Sequence, residues 1–141
     1  MFVLDTNAVS ELRKAQFGEA DSRFVKWADN ASPSDFYISA ITIMELEIGA
    51  LQIERRDAEQ GAVLRRWLER QVLPSFEGRI LPVDMSVARC CARLHVPDRK
   101  NERDALIAAT GLVHKMMVVT RNVADFASTG VPLVNPWDHA P

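Results

Sequence analysis

Four acidic residues occupy positions at which the folded chain could bring them together. Asp5 directly follows the apolar run Phe2–Leu4, and Asp125 lies five residues beyond Thr120, which ends a second apolar run. If these runs are neighbouring strands of a parallel sheet, their carboxyl ends lie about 4.8 Å apart at one edge. We therefore expect Asp5 and the 120–125 segment to approach the same point.

The other two acids lie in segments with a helical pattern. Glu45 lies at the edge of an apolar helix face, whereas Glu47 is more than half a turn away and should be the solvated member of the pair. Asp104 begins the segment Asp104–Thr110, where the positive end of a helix dipole favours an ionised carboxylate.

Each acid has a simpler structural explanation when it is taken alone. Asp5 and Asp104 could each be no more than a helix N-cap. Glu45 could be an ordinary surface residue, and Asp125 could be an ordinary loop residue. The joint pattern of four acids is more informative than any one of them.

A cluster of these four acids would suit a hard cation. Carboxylates held close together raise one another's pKa values unless a cation intervenes. Oxygen ligands without a nearby His or Cys favour Mg²⁺ or Mn²⁺, and neither His95 nor His114 has a recognisable metal-ligand spacing. Such a cation can activate a water molecule for in-line attack on a phosphodiester, so no side-chain nucleophile is needed.

Short polar residues flank the acids and could orient a carboxylate or a bound water molecule. They are Thr6, Asn7, Thr120 and Asn122. Helix capping is an alternative role for the same side chains, and both roles can hold at once.

The net charge of −2 argues against binding nucleic acid through bulk charge. The four acids alone contribute about −4, however, so the remaining surface is less acidic than the net value suggests. Candidate phosphate contacts are Arg13, Lys14, Arg99, Lys100, Arg103 and Arg121. Arg121 is the strongest candidate for contact with an RNA phosphate because it lies beside the expected site.

The length of 141 residues suits one domain, residues 1–141, and the spacing of apolar residues predicts that short strands alternate with helices along it. Strands are expected at 2–4, 36–38, 79–83, 116–119 and 133–134. Helices are expected at 6–14, 19–30, 41–53, 57–73, 87–94 and 103–115, with a helical turn at 125–126. This alternation predicts an α/β sandwich with a mostly parallel central sheet of four to five short strands, in which sites form at the carboxyl ends of strands.

Two features of the sequence concern the cellular compartment. The adjacent Cys90 and Cys91 are poorly placed to bridge each other, so we expect two small apolar helix residues in a reducing cytosol. The N-terminus lacks the basic start and apolar run of a signal peptide, and no apolar stretch of about 18 residues occurs. We therefore expect a cytoplasmic protein without a membrane span.

Five segments resemble, in the same order, the motifs of a PIN domain. They are Leu4–Asn7, Ser39–Gly49, Asp104–Thr110, Val119–Phe126 and Asn135–Trp137. The match runs essentially from end to end of the chain. Together the segments are similar to the VapC-type toxins of bacterial toxin–antitoxin pairs, and particularly to the FitB-like branch.

This resemblance implies a PIN-like three-layer α/β/α sandwich and a Mg²⁺- or Mn²⁺-dependent endoribonuclease that hydrolyses RNA. It also implies neutralisation by a small DNA-binding antitoxin encoded alongside. A homodimer is implied as well, often within a larger toxin–antitoxin assembly that binds operator DNA only through the antitoxin.

The resemblance also assigns roles to individual acids. Asp5, Glu45 and Asp104 match three core acids of the family, with Asp5 and Asp104 as direct metal ligands. Some relatives have the fourth acid at the position of Asn122, and others have it at the position of Asp125. We take Asp125 as the fourth acid, with Asn122 beside it, and expect Glu45 and Asp125 to reach the metal through water.

Three alternative functions remain open at this stage. A nuclease acting on DNA would use the same cluster. A phosphatase with Asp5 as nucleophile would usually carry a second Asp two residues along as general acid, but this chain has Asn7 there. A non-catalytic PIN-like binding module would have no need of all four acids.

Overall fold

The computed structural model describes residues 1–138, and its five strands form a single parallel sheet. The strands are β1 (Phe2–Leu4), β2 (Phe36–Ser39), β3 (Ile80–Leu81), β4 (Met117–Val119) and β5 (Leu133–Val134). Their order across the sheet is β3-β2-β1-β4-β5. All five predicted strands are therefore present, and the third is shorter than the 79–83 range predicted for it.

The central position of β1 determines which chain segments meet at the edge of the sheet. Phe2 pairs with Phe36 of β2 on one side and with Met117 of β4 on the other, and both pairings are parallel. Because all strands point the same way, their carboxyl ends share one edge. Asp5 and Thr120 follow two neighbouring strands at that edge, as the sequence predicts.

Eight helices are described, and they cover both faces of the sheet. They are α1 (Thr6–Gln16), α2 (Ser22–Asp29), α3 (Ala40–Arg56), α4 (Ala58–Trp67), α5 (Leu73–Ser75), α6 (Met85–Leu94), α7 (Glu102–His114) and α8 (Val123–Phe126). The prediction of a three-layer α/β/α sandwich is confirmed, and the sheet is wholly rather than mostly parallel. Within the described chain, none of the helices combines the length and the apolarity that a membrane crossing needs.

Alternating side chains of the inner strands enter two different apolar layers. Leu4 and Val119 pack into a cluster on the face covered by α1 and α2, and Phe24 is one of its largest buried members. The neighbouring Val3 and Val118 point to the opposite face, where α7 and α8 pack. Cys90 and Cys91 are free and buried in α6, as predicted, and form part of the contact between α6 and α7.

The predicted helix at 57–73 is interrupted in the structure. α4 ends at Trp67, and Leu68–Val72 form a π-helical turn before the short α5. Pro74 gives the physical reason, because its nitrogen has no hydrogen to donate to a carbonyl one turn back. The N–H of Leu73 bonds instead to the carbonyl of Leu68, which closes the wider turn.

The predicted helix at 19–30 begins three residues later than expected. Asp21 caps it, since its carboxylate accepts the N–H of Arg23 at 2.8 Å. The backbone N–H of Asp21 itself donates to the buried carboxylate of Glu11 in α1 at 2.9 Å. These contacts hold Asp21 outside the helix, and therefore fix where α2 starts.

The close approach of α3 and α4 depends on Gly61. A Cβ atom at this position would lie 2.4 Å from the Cα atom of Glu54 in α3. Glu54 is held in place because its carboxylate accepts a hydrogen bond from Arg65 of α4 at 3.0 Å. Only glycine therefore fits where the two helices cross.

We expect Gly61→Ala to lower the free energy of unfolding by about 1–3 kcal/mol, because the two helix backbones must move apart. Gly49→Ala in α3 is the matched control, since no atom lies within 4 Å of its added Cβ. The control should be stabilising by about 0.5–1 kcal/mol, because alanine favours the helix more than glycine does. Urea unfolding followed by circular dichroism measures both, and equal midpoints for the two variants would contradict the close-contact argument.

Candidate active site

Asp5 is held at the carboxyl end of the central strand by several hydrogen bonds. It is the N-cap of α1, and its Oδ1 accepts the backbone N–H of Thr6 at 2.8 Å. Its Oδ2 accepts the hydroxyl of Thr120 at 2.8 Å and the side-chain amide of Asn7 at 3.3 Å. The residue is only 6% exposed, so a buried carboxylate stands at this edge of the sheet. The sequence allowed Asp5 to be a helix N-cap or a member of the acid cluster, and the structure shows that it caps α1.

Asp104 lies in the first turn of α7 and is partly buried. The N-cap of this helix is Asn101, whose side-chain oxygen accepts the backbone N–H of Asp104 at 3.1 Å. The interpretation of Asp104 as only a helix cap is therefore wrong, because Asn101 already fills that role. The carboxylate of Asp104 does not cap the helix and remains available to the site.

Glu45 lies on α3 and faces the start of α1. Its Oε1 accepts the hydroxyl of Thr6 at 2.7 Å, and its Oε2 lies 3.7 Å from Nη1 of Arg103. The Thr6 hydroxyl also lies 3.3 Å from the hydroxyl of Thr42, which is fully buried one turn before Glu45. Sequence reasoning missed Thr42, although its spacing of three residues from Glu45 places both on one helix face.

Glu47 points away from this site, as expected, but it is not simply solvated. Its carboxylate lies 2.6 Å from Nη1 of Arg65 and belongs to the contact between α3 and α4. The antiparallel pair of α3 and α4 brings these two charges together across 18 residues of sequence.

Asp125 lies on the exposed surface in the first turn of α8. Its backbone N–H donates to the carbonyl of Asn122 at 3.0 Å. The side chain of Asn122 does not cap α8, and its backbone N–H donates to the hydroxyl of Thr120 at 3.0 Å. Asp125 is close enough to Asp5 and Asp104 for its charge to act on both of them.

Thr120 and Asn7 connect the neighbouring strands at this edge. The Thr120 hydroxyl donates its single hydrogen to Asp5, and it accepts the side-chain amide of Asn7 at 3.4 Å. The side-chain oxygen of Asn7 accepts the backbone N–H of Arg121 at 3.4 Å. Three of the predicted flanking residues, Thr6, Asn7 and Thr120, therefore hydrogen-bond directly to an acid. Asn122 contacts Thr120 through its backbone only.

Burial and neighbouring charges change the pKa values of two acids of the cluster, Asp5 and Asp104. Burial is the main cause that raises the pKa of Asp5; the hydrogen bonds from Thr120 and a backbone N–H oppose this effect, and the charges of Glu45 and Asp125 add to it. Burial also raises the pKa of Asp104 to about 6, with smaller contributions from the other three carboxylates. Bringing these charges together without a cation therefore costs free energy, and a bound cation would recover it.

The donor set at this edge consists of carboxylate, hydroxyl and amide oxygens. Among residues 1–138, no group of three acidic, His or Cys side chains is placed so that it could hold a metal ion by itself. Mg²⁺ commonly takes only one or two protein carboxylates and completes its shell with water and substrate phosphates. The chemistry of the donors and the raised pKa values of two acids thus fit a hard divalent cation that keeps part of its water shell.

The other candidate phosphate contacts lie in different settings. The guanidinium of Arg13 lies 5.7 Å from the ring centroids of both Phe17 and Trp67, and Lys14 lies 3.7 Å from the carboxylate of Glu11. Arg99 and Lys100 belong to the loop before α7. Arg103 faces the site through Glu45, and Arg121 directly follows Thr120.

Comparison with known proteins places this architecture in a family. The PIN domain family model matches residues 2–131. The VapC ribonuclease Y4jK of Sinorhizobium fredii is 36% identical over 145 residues, which cover 99% of this chain and 100% of the relative. Toxin FitB of Neisseria gonorrhoeae is 37% identical over 142 residues, which cover 97% of this chain and 99% of the relative.

The same relationship holds for the three-dimensional structure. The crystal structure of FitAcB from Neisseria gonorrhoeae superposes on this chain with a TM-score of 0.87 and 35% sequence identity. The superposition covers 98% of this chain and 99% of the other. The chain therefore belongs to the PIN domain family, in the branch that includes the VapC ribonucleases and toxin FitB.

Proposed function

We propose that this chain, as a single PIN domain, is the toxin of a type II toxin–antitoxin pair and acts as an endoribonuclease. The observation that carries the proposal is the acid cluster, in which burial raises the pKa values of Asp5 and Asp104, and the charges of Glu45 and Asp125 raise both further. The relatives named VapC ribonuclease and toxin FitB give this cluster its substrate class and its biological role.

A divalent cation, Mg²⁺ or Mn²⁺, fits the oxygen donors of the cluster. Asp5 and Asp104 would hold it directly, and Glu45 and Asp125 would act through water molecules. When bound, the cation supplies activation of the attacking water and neutralises the charge that develops on the phosphodiester. The raised pKa values of the two direct ligands mean that their ionised forms are less favourable than in ordinary carboxylates, and a bound cation would relieve this cost.

The neighbouring polar residues fix the direction of the carboxylates. Thr120 and Asn7 both donate to Oδ2 of Asp5, and the backbone N–H of Thr6 donates to Oδ1, which leaves one lone pair of Oδ1 for a cation. The hydroxyl of Thr6 donates to Oε1 of Glu45 and fixes the direction of that carboxylate. Because Thr6 also gives its backbone N–H to Asp5, one residue orients two of the acids.

The charge distribution is compatible with an RNA substrate in spite of the acidic net charge. The chain has 19 acidic and 17 basic residues, and four of the acids lie in the cluster. Basic residues therefore outnumber acidic ones on the rest of the molecule. We propose that Arg121, beside the acids, contacts an RNA phosphate.

The phosphatase alternative loses support from the position of Asn7. Its amide donates to Asp5 and Thr120, and its oxygen accepts the backbone N–H of Arg121. The side chain is thus fully engaged in holding the site, and it has no proton of suitable acidity to give to a leaving group.

We further propose a small antitoxin, encoded beside this chain, as the partner that neutralises it in the cytoplasm. Operator DNA would be bound only through that antitoxin. A homodimer is proposed as well, and the exposed Met44 and Leu51 on the outer side of α3 are consistent with a protein contact there. The similarity to toxin FitB and to the structure of FitAB bound to a DNA fragment supports the antitoxin partner.

The carboxylates of the cluster should be required for RNA cleavage. We expect Asp5→Asn and Asp104→Asn each to reduce cleavage of total RNA in Mg²⁺ by roughly 100-fold or more, because a metal-ligating charge is lost while the size is kept. EDTA should stop the wild-type protein. Asp57→Asn is the matched control, since Asp57 caps α4 through the N–H of Gln60 and asparagine caps a helix equally well. Full cleavage by both site variants would disprove the proposed activity.

The raised pKa of Asp104 predicts a pH-dependent stability in the absence of metal. A carboxyl whose pKa is raised on folding contributes stability below its unfolded value of 3.8, and this contribution is lost as the pH rises through about 6. In EDTA at about pH 7.5, Asp104→Asn should therefore melt roughly 2–4 °C above the wild type, a small effect because solvent screens the partly buried group.

This difference in melting temperature should shrink towards about pH 4, where the wild-type carboxyl is neutral as well. Mg²⁺ should then stabilise the wild type at neutral pH and have little effect on Asp104→Asn. Thermal unfolding by circular dichroism measures both proteins at about pH 7.5 and about pH 4, each with EDTA and with Mg²⁺. A constant difference across the pH range would show that Asp104 carries no unfavourable charge in the folded protein.

The toxin role predicts an effect on growing cells. Induced expression of the chain alone should arrest growth within a few generations, and co-expression of the small protein encoded beside it should restore growth. The Asp5→Asn variant at the same expression level separates cleavage from the burden of protein production. Normal growth at verified expression of the wild type would contradict the toxin role and leave the fold unaffected.

A further inference from the structure

Arg121 is tied by its backbone to the edge of the acid cluster. It follows Thr120, whose hydroxyl donates to Asp5, and its own N–H donates to the side-chain oxygen of Asn7 at 3.4 Å. Its side chain is exposed to solvent. The backbone of Arg121 is therefore placed at the site, but an exposed arginine on a loop would ordinarily sample many side-chain conformations.

Trp137 supplies a surface that restricts the Arg121 side chain. The Cζ atom of Arg121 lies 5.7 Å from the centroid of the Trp137 ring, within the range of a cation–π contact. A guanidinium that rests against an aromatic face keeps its N–H groups free at its edge. Those N–H groups form the planar fork that matches a phosphate.

The Trp137 ring is itself rigidly held. It is only 4% exposed, and its Nε1–H donates to Oε2 of Glu11 at 3.2 Å. The same buried Oε2 atom accepts the backbone N–H of Asp21 at 2.9 Å, and the ring of Phe24 lies 4.9 Å from that of Trp137, centroid to centroid. Glu11, α2 and the C-terminal segment thus fix one indole ring against which Arg121 rests.

We propose that Trp137 is a positioning residue that holds the guanidinium of Arg121 for contact with a phosphate of the bound RNA. This inference rests on the ribonuclease function proposed above and adds to it the means by which a phosphate contact is fixed. Glu11 takes part indirectly, because it determines the orientation of the indole. Trp137 does not touch the substrate.

A double-mutant cycle in RNA binding tests the proposal. The full chain carries Asp104→Asn so that RNA is bound and not cut, and the probe is a fluorescein-labelled single-stranded RNA of about 16 nucleotides and mixed sequence. Arg121→Gln should weaken binding roughly three- to tenfold and reduce the slope of log K against log salt by about 0.7. Trp137→Leu should weaken binding to a similar extent, and the two changes together should cost no more than either one alone.

Two further variants separate positioning from general damage. Trp137→Phe retains an aromatic face, so it should retain most of the affinity even though it loses the hydrogen bond to Glu11. Lys115→Gln removes one positive charge before β4, at the opposite edge of the sheet, and should change affinity less than twofold. If Trp137 served only the stability of the fold, Trp137→Leu would weaken binding equally with and without Arg121→Gln.

A second readout is independent of RNA. The ring current of Trp137 should shift the side-chain Nε–H resonance of Arg121 upfield in the wild-type NMR spectrum, and Trp137→Leu should abolish this shift. An unshifted resonance or additive losses in the cycle overturn the positioning role alone. A normal shift with no RNA binding by any variant overturns the phosphate contact together with the ribonuclease function. A loss of antitoxin affinity with unchanged RNA binding would assign Arg121 to the protein partner and overturn the proposal.

Discussion

The burial of carboxylates close together at one edge of the sheet is the constraint on which the rest of the structure depends. Asp5 is buried at the end of the central strand, and Asp104 has a pKa raised to about 6 by burial and by the other acids. Isolated carboxylates in such positions would take up protons or swing into solvent. The fold must therefore hold the carboxylates at fixed positions and must obtain the necessary free energy from elsewhere.

That free energy comes from the strands and helices behind the site. The alternation of Val3 and Leu4 sends neighbouring side chains into opposite apolar layers, so the short β1 is anchored on both faces. Parallel pairing with β2 and β4 then fixes where Asp5 emerges. The hydroxyl of Thr120 completes the arrangement, because it compensates Asp5 with a hydrogen bond from the neighbouring strand end.

Sequence reasoning was sufficient where local pattern decides the structure. The strand ends at Asp5 and Thr120 could be predicted because a short apolar run followed by a polar residue defines both the strand and its carboxyl end. The π-helical turn before Pro74 could not, since several backbone arrangements accommodate one missing N–H. The hydrogen bond between Trp137 and Glu11 spans 126 residues, and no local pattern indicates such a contact.

The acid cluster also creates a need for positive charge near the substrate, which the acids themselves cannot supply. A polyanionic substrate is repelled by four carboxylates until cations offset them, and a bound metal offsets only the charge at the reacting phosphate. The neighbouring phosphates need fixed positive charge at the rim of the site. A flexible arginine would lose side-chain entropy on each encounter, whereas Arg121 against the buried ring of Trp137 has lost most of it during folding. The C-terminal segment thereby contributes to the site although it carries none of the acids, and Glu11 links its position to the start of α2.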